Sequence, residues 1–145
     1  MGREFLEDLA EHAGTAVAGS ADVRLLGEGA KTVVDVVPTD DASCRFSVFL
    51  QDDDEMTIEF GEMSVLDFHG ESPDELREAC REVVDAIIDG RVTETVYVRD
   101  GVPVRALARI EVPEQTITVR TRRGLKPFAR KARVRQYQPY VGTEK

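Results

Sequence analysis

The chain has 145 residues, 41% hydrophobic and 32% charged, with a formal net charge of −9. A chain of this length buries about two-thirds of its surface as one domain, so it needs neither disulfides nor a structural metal to fold. No stretch approaches the roughly 18 apolar residues of a membrane span. Met1-Gly2-Arg3-Glu4-Phe5 opens an acidic amphipathic segment that lacks the layout of a signal peptide, and the expected location is cytoplasmic.

The elements follow in chain order. Phe5, Leu6, Leu9, Ala13 and Ala16 recur at helical spacing and predict a helix over 4–17, closed by Gly19-Ser20. Segments 23–26 and 31–37 read as strands around a turn at Gly27-Glu28-Gly29, the second stopped by Pro38. Segments 44–50 and 55–60 alternate, with Phe46, Val48, Met56 and Ile58 on one face, as antiparallel strands with one wet face do. Ser72-Pro73-Asp74-Glu75 is a capping box with proline at the first helical position. Behind it, Leu76, Ala79, Cys80, Val83, Val84, Ile87 and Ile88 form a wide apolar stripe, and Gly90 supplies the stop, which predicts a helix over 73–89. Segments 92–99 and 102–110 flank Asp100-Gly101, the signature of a type I′ hairpin, and Pro103 calls for an edge or a bulge. Segment 115–120 is a further strand.

The expected fold is α+β, in the order α-β-β-β-β-α-β-β-β. It is a single domain over 1–145, with an antiparallel sheet of about six to seven strands and two helices, the helix 73–89 packed on one sheet face.

Charge is divided along the chain. Residues 1–115 hold 27 acidic and 10 basic residues, net −17; residues 116–145 hold 1 acidic and 9 basic, net +8. Two readings of the basic extension over 120–145 stand side by side. It folds back on the acidic body as a strand anchored by Leu125, Phe128, Val134, Tyr137 and Tyr140. Alternatively, it reaches RNA or DNA through Arg122, Arg123, Lys126, Arg130, Lys131, Arg133 and Arg135, since arginine suits bidentate phosphate contacts.

Motifs of catalysis are sparse. G-x-S-x-G, the P-loop and G-x-G-x-x-G are all absent. The run Asp52-Asp53-Asp54-Glu55 lacks the spacing of a calcium loop and reads as a solvated hairpin tip. His12 and His69 are the only histidines, and they are not spaced as a ligand pair. Cys44 and Cys80 fall on apolar faces and read as buried free thiols. No catalytic residue, metal or cofactor is expected.

Residues 55–110, with Glu55-Met56-Thr57-Ile58-Glu59-Phe60-Gly61, Phe68-His69, the acidic capped helix and the following hairpin, resemble a loose group of small bacterial proteins. Some members of that group accompany polymorphic toxins as immunity proteins. The resemblance implies a non-catalytic inhibitor of a basic partner protein. The acidic body fits such steering, through the exposed acids Asp52, Asp53, Asp54, Glu55, Glu59 and Glu62.

Overall fold

The structure is a computed structural model that describes residues 3–17, 19–28, 31–52, 55–69, 72–123 and 131–140. Its helices are α1 (Arg3–Val17) and α2 (Pro73–Ile88). Nine strands lie among the described residues: β1 (Ala21–Leu26), β2 (Val33–Pro38), β3 (Phe46–Asp52), β4 (Glu55–Phe60), β5 (Ser64–His69), β6 (Val92–Arg99), β7 (Val102–Val112), β8 (Gln115–Arg122) and β9 (Lys131–Gln136). They form two antiparallel sheets, β1-β2-β3-β4-β5 and β8-β7-β6-β9.

The α+β class, the two helices and the antiparallel pairing match the sequence reading. The single sheet of six to seven strands does not. One additional strand is β5, whose inward residues Ser64, Leu66 and Phe68 alternate only weakly with Val65, Asp67 and His69. The other is β9, where arginine alternates with small or apolar residues. The sheet divides because β6 takes β9, not β5, as its second neighbour.

Helix α1 buries Phe5, Leu6, Leu9, Ala13 and Val17 against β1, β2 and α2. Helix α2 starts as its capping box dictates: the Glu75 backbone N–H donates to Ser72 Oγ at 3.2 Å, with Pro73 in the first turn. It ends at Ile88 in a Schellman motif, with Gly90 N–H on the Ile87 carbonyl and Arg91 N–H on that of Ala86. Gly90 has φ +76°, and a Cβ there would lie 2.5 Å from the Pro139 nitrogen. The helix touches α1, β5 and β7. It therefore serves both sheets, a correction to the expectation of one, and its seven buried side chains from Leu76 to Ile88 supply the apolar surface this requires.

The β6–β7 turn has Asp100 at φ 53° and Gly101 at φ 79°, as a type I′ hairpin requires. Strand β7 is interior, and Pro103 is accommodated by a register shift at Tyr97/Val98. Strand β9 runs along β6 from Thr93↔Gln136 to Val98↔Lys131. Beyond it, Tyr137 and Tyr140 are buried; the Tyr140 hydroxyl donates to the Cys44 carbonyl and its ring meets Phe46 edge-on at 6.4 Å. Val134, expected as an anchor, is instead 66% exposed. The inward side of β9 is given to Arg133 and Arg135, which meet Glu62 in the β4–β5 turn and the Asp41 carbonyl in the β2–β3 connection. Leu125 and Phe128 lie outside the described residues.

Candidate functional site

The two sheets are joined at one buried carboxylate. Glu94, in the middle of β6, has no exposed surface and points to the β4–β5 turn. Its Oε1 accepts from Glu62 N–H at 2.9 Å and from the Tyr137 hydroxyl at 2.6 Å. Its Oε2 accepts from Met63 N–H at 3.2 Å and from Ser64 Oγ at 2.7 Å. About four acceptor positions are available on a carboxylate, and all four are used. Burial, and then the bond to Glu94, pushes the Tyr137 hydroxyl well above its ordinary range. Gly61 lies against this group with φ +67°. The site is closed and saturated, so its work is to lock the sheets together.

Two open sheet faces remain. On the first sheet, cross-strand register places Leu26, Val33, Phe49, Thr57 and Asp67 in one outward row. The next row is Arg24, Asp35, Ser47, Glu59 and Val65. Leu26 is 46% exposed on β1, Val37 37% on β2 and Val65 36% on β5, each in a different row, while Val33 and Phe49 are half-buried and Thr57 is buried; Val65 stands beside Glu59 and Asp67. Lateral bonds order these side chains: Ser47 Oγ donates to Asp35 at 2.8 Å, and Thr57 Oγ1 donates to Asp67 at 2.6 Å. Beside the β4–β5 turn, Arg45, Ser47, Glu59, Glu62 and Arg123 line a cavity of ≈ 340 Å³.

Three of the six expected partner-binding acids, Glu55, Glu59 and Glu62, fall among residues whose side chains are described. Asp53, Asp54 and the side chain of Asp52 lie outside the described residues. Glu55 sits 3.5 Å from His69 Nδ1, and Glu62 is paired with Arg133. Glu59 remains exposed, and Asp67 and Asp35, which sequence reasoning did not single out, join it through the register.

On the second sheet, the outward rows are Ala132, Tyr97, Arg105, Arg122; then Val134, Thr95, Leu107, Arg120; then Gln136, Thr93, Arg109, Thr118. Of the expected nucleic-acid residues among those described, only Arg122 belongs to this face. Arg123 is exposed at the end of β8, and Lys131 is exposed at the start of β9. Arg133 and Arg135 are turned to the first sheet, and the Arg135 guanidinium lies 4.9 Å from the Tyr137 ring centre. Lys126 and Arg130 lie outside the described residues.

The histidines have structural surroundings. His12 Nε2 is 2.7 Å from Asp85 Oδ1 and ties α1 to α2. The His69 side chain is 68% exposed on β5, open to water on a strand rather than set in a cleft. Burial pushes both thiols up, Cys80 to about 12, which disfavours the thiolate at neutral pH. Neither cysteine is expected to react with a disulfide-exchange reagent in the folded protein at neutral pH, whereas both react after denaturation. Rapid reaction before denaturation would show that the core opens around them. Among the described residues, no three His, Cys, Asp or Glu side chains are grouped to hold a metal ion.

Compared with protein-family models, curated proteins and solved structures, the chain finds no significant match.

Proposed function

We propose that this protein is a non-catalytic protein-binding module that presents the outer face of its first sheet to a partner with basic and apolar surface. The observation that carries the reading is exposed Val65 set beside the exposed acids Glu59 and Asp67, on a face that also bares Leu26 and carries half-buried Val33 and Phe49. A partner that covered this face would bury these apolar side chains away from water. The acids beside them favour a basic partner and speed the encounter. An inhibitor of a basic enzyme, of the kind the immunity-protein resemblance implies, fits this chemistry.

The test is affinity capture with the whole chain, followed by purification of each retained protein and titration against variants. Leu26→Lys combined with Glu59→Lys is expected to weaken the true partner about tenfold or more, mainly by slowing association and removing apolar contact. Arg122→Glu, on the other sheet, leaves that affinity unchanged. If every purified partner binds the first-sheet double variant as well as it binds the unaltered chain, this face is not the interface.

A further inference from the structure

We infer that the outer face of the second sheet is a second binding site, and that its ligand is single-stranded nucleic acid. Four arginines project from this face: Arg105 and Arg109 on β7, Arg120 and Arg122 on β8. All four are exposed, and none forms an ion pair among the described residues. Glu111, next after Arg109 on the same face of β7, lies beyond these rows and accepts from Thr116 Oγ1. In a chain of net charge −9, the face is locally positive. Screening over about 8 Å at physiological salt isolates it from the carboxylates of the first sheet.

The register makes this concentration costly. Arg105 and Arg122 are direct cross-strand partners, and Arg120 follows on the same face. Like charges set opposite each other destabilise a sheet, and no carboxylate among the described residues offsets them. A polyanion laid across the face would. Alternate residues along a strand rise about 6.8 Å, a spacing that lets successive guanidiniums reach successive phosphates of an extended strand.

Tyr97 selects the class of polyanion. It sits at the centre of the first row, with the Arg105 guanidinium 4.3 Å from its ring centre on the β7 side. Its cross-strand neighbour on β9 is Ala132, too short to cover the ring from that side. An aromatic ring and a flat guanidinium held together are a platform for an unpaired base. A duplex hides its bases, and its major groove admits a helix or a two-stranded ribbon, not the broad face of a four-stranded sheet. An acidic protein would use the arginines but would gain little from Tyr97.

This site is independent of the protein-binding face on the first sheet, and its failure would leave that reading standing. The experiment is fluorescence anisotropy of the whole chain with labelled oligothymidylate and oligouridylate of about 12 nucleotides, across a salt series. Both are expected to bind. With four phosphates neutralised, the log–log slope of affinity against salt is about −3. Tyr97→Ala weakens binding about tenfold and Tyr97→Phe preserves it. Arg122→Glu weakens binding at least about tenfold at low salt. The same Arg122→Glu change raises the melting temperature by about 1–3 °C, because it replaces a repulsive cross-strand pair with an attractive one. Preference for one of the two strands would identify which sugar is read and would support the site equally. The inference is overturned by absence of binding at about 50 mM salt, by a duplex of the same length binding as tightly, or by polyglutamate competing as well as the oligonucleotide while Tyr97→Ala has no effect.

Discussion

Replacing Glu94 with alanine is expected to lower the stability of the folded chain by about 3–5 kcal/mol and its melting temperature by about 10 °C. The loss is large because the carboxylate is the sole recorded acceptor for four donors: the N–H groups of Glu62 and Met63 and the hydroxyls of Ser64 and Tyr137. Truncation leaves these donors in a site too enclosed for bulk water to reach freely, and each orphaned group costs about 1–3 kcal/mol. Glu94→Gln is expected to cost less, since the amide keeps one acceptor oxygen for an N–H and a hydroxyl, and the hydroxyl on its NH2 side can turn to accept, which leaves a single backbone N–H without an acceptor. Tyr137→Phe, which removes one donor and leaves three, is expected to cost about 1–2 kcal/mol. Equilibrium denaturation of the three variants checks the order. A Glu94→Ala loss below about 1 kcal/mol would mean that the junction does not hold the sheets together.

Gly61→Ala is expected to cost about 3–4 kcal/mol for the addition of a single methyl group. Gly61 sits at φ +67°, where an L side chain alone costs about 1–2 kcal/mol. The added Cβ would also lie 2.5 Å from Glu94 Oε1 and 2.9 Å from the Tyr137 oxygen, so the latch must open to admit it. That shared cause makes the two changes non-additive. In a Glu94→Ala background the main obstacle is gone, and Gly61→Ala should cost about 1–2 kcal/mol less than it does alone. A double-mutant cycle reads this coupling directly, and additive losses would show that the methyl group and the carboxylate do not compete for the same space.

Where local chemistry decides the structure, it is legible in the residues. Ser72-Pro73-Asp74-Glu75 starts α2, Gly90 ends it, and Asp100-Gly101 turns β6 into β7. Where partners distant along the chain decide it, the residues are ambiguous. The alternation over β5 is weak because Ser64 occupies an inward position, and that is intelligible only when Glu94 is seen to accept from it. Glu94 did carry a signal. It has the same parity as Val92 and Val96, so in the strand it had to face inward with them, and a charged residue on an inward face calls for buried partners. The basic face was half visible in the same way, since Arg105 and Arg109 alternate against Val104, Ala106, Ala108 and Ile110. That Arg120 and Arg122 share the face, and that Arg133 and Arg135 do not, follows from register and from the side of β9 that meets the first sheet. Net charge summed along the chain concealed this, because it grouped the two pairs together.

The edges of the second sheet have a further consequence, for self-association. Among the described residues its outer strands are β8, which lies against β5 of the first sheet, and β9, which pairs with β6; an edge strand can template pairing with a neighbouring chain. Val134, 66% exposed on β9, is the kind of residue that invites such templating. It stands between Arg133 and Arg135, while β8 carries Arg120 and Arg122. Another chain added along β9, about 4.8 Å away, would meet the inward-pointing charges of Arg133 and Arg135, which make an edge strand a poor template. The arginines thus act as gatekeepers that keep this sheet at four strands and discourage its growth into a fibre.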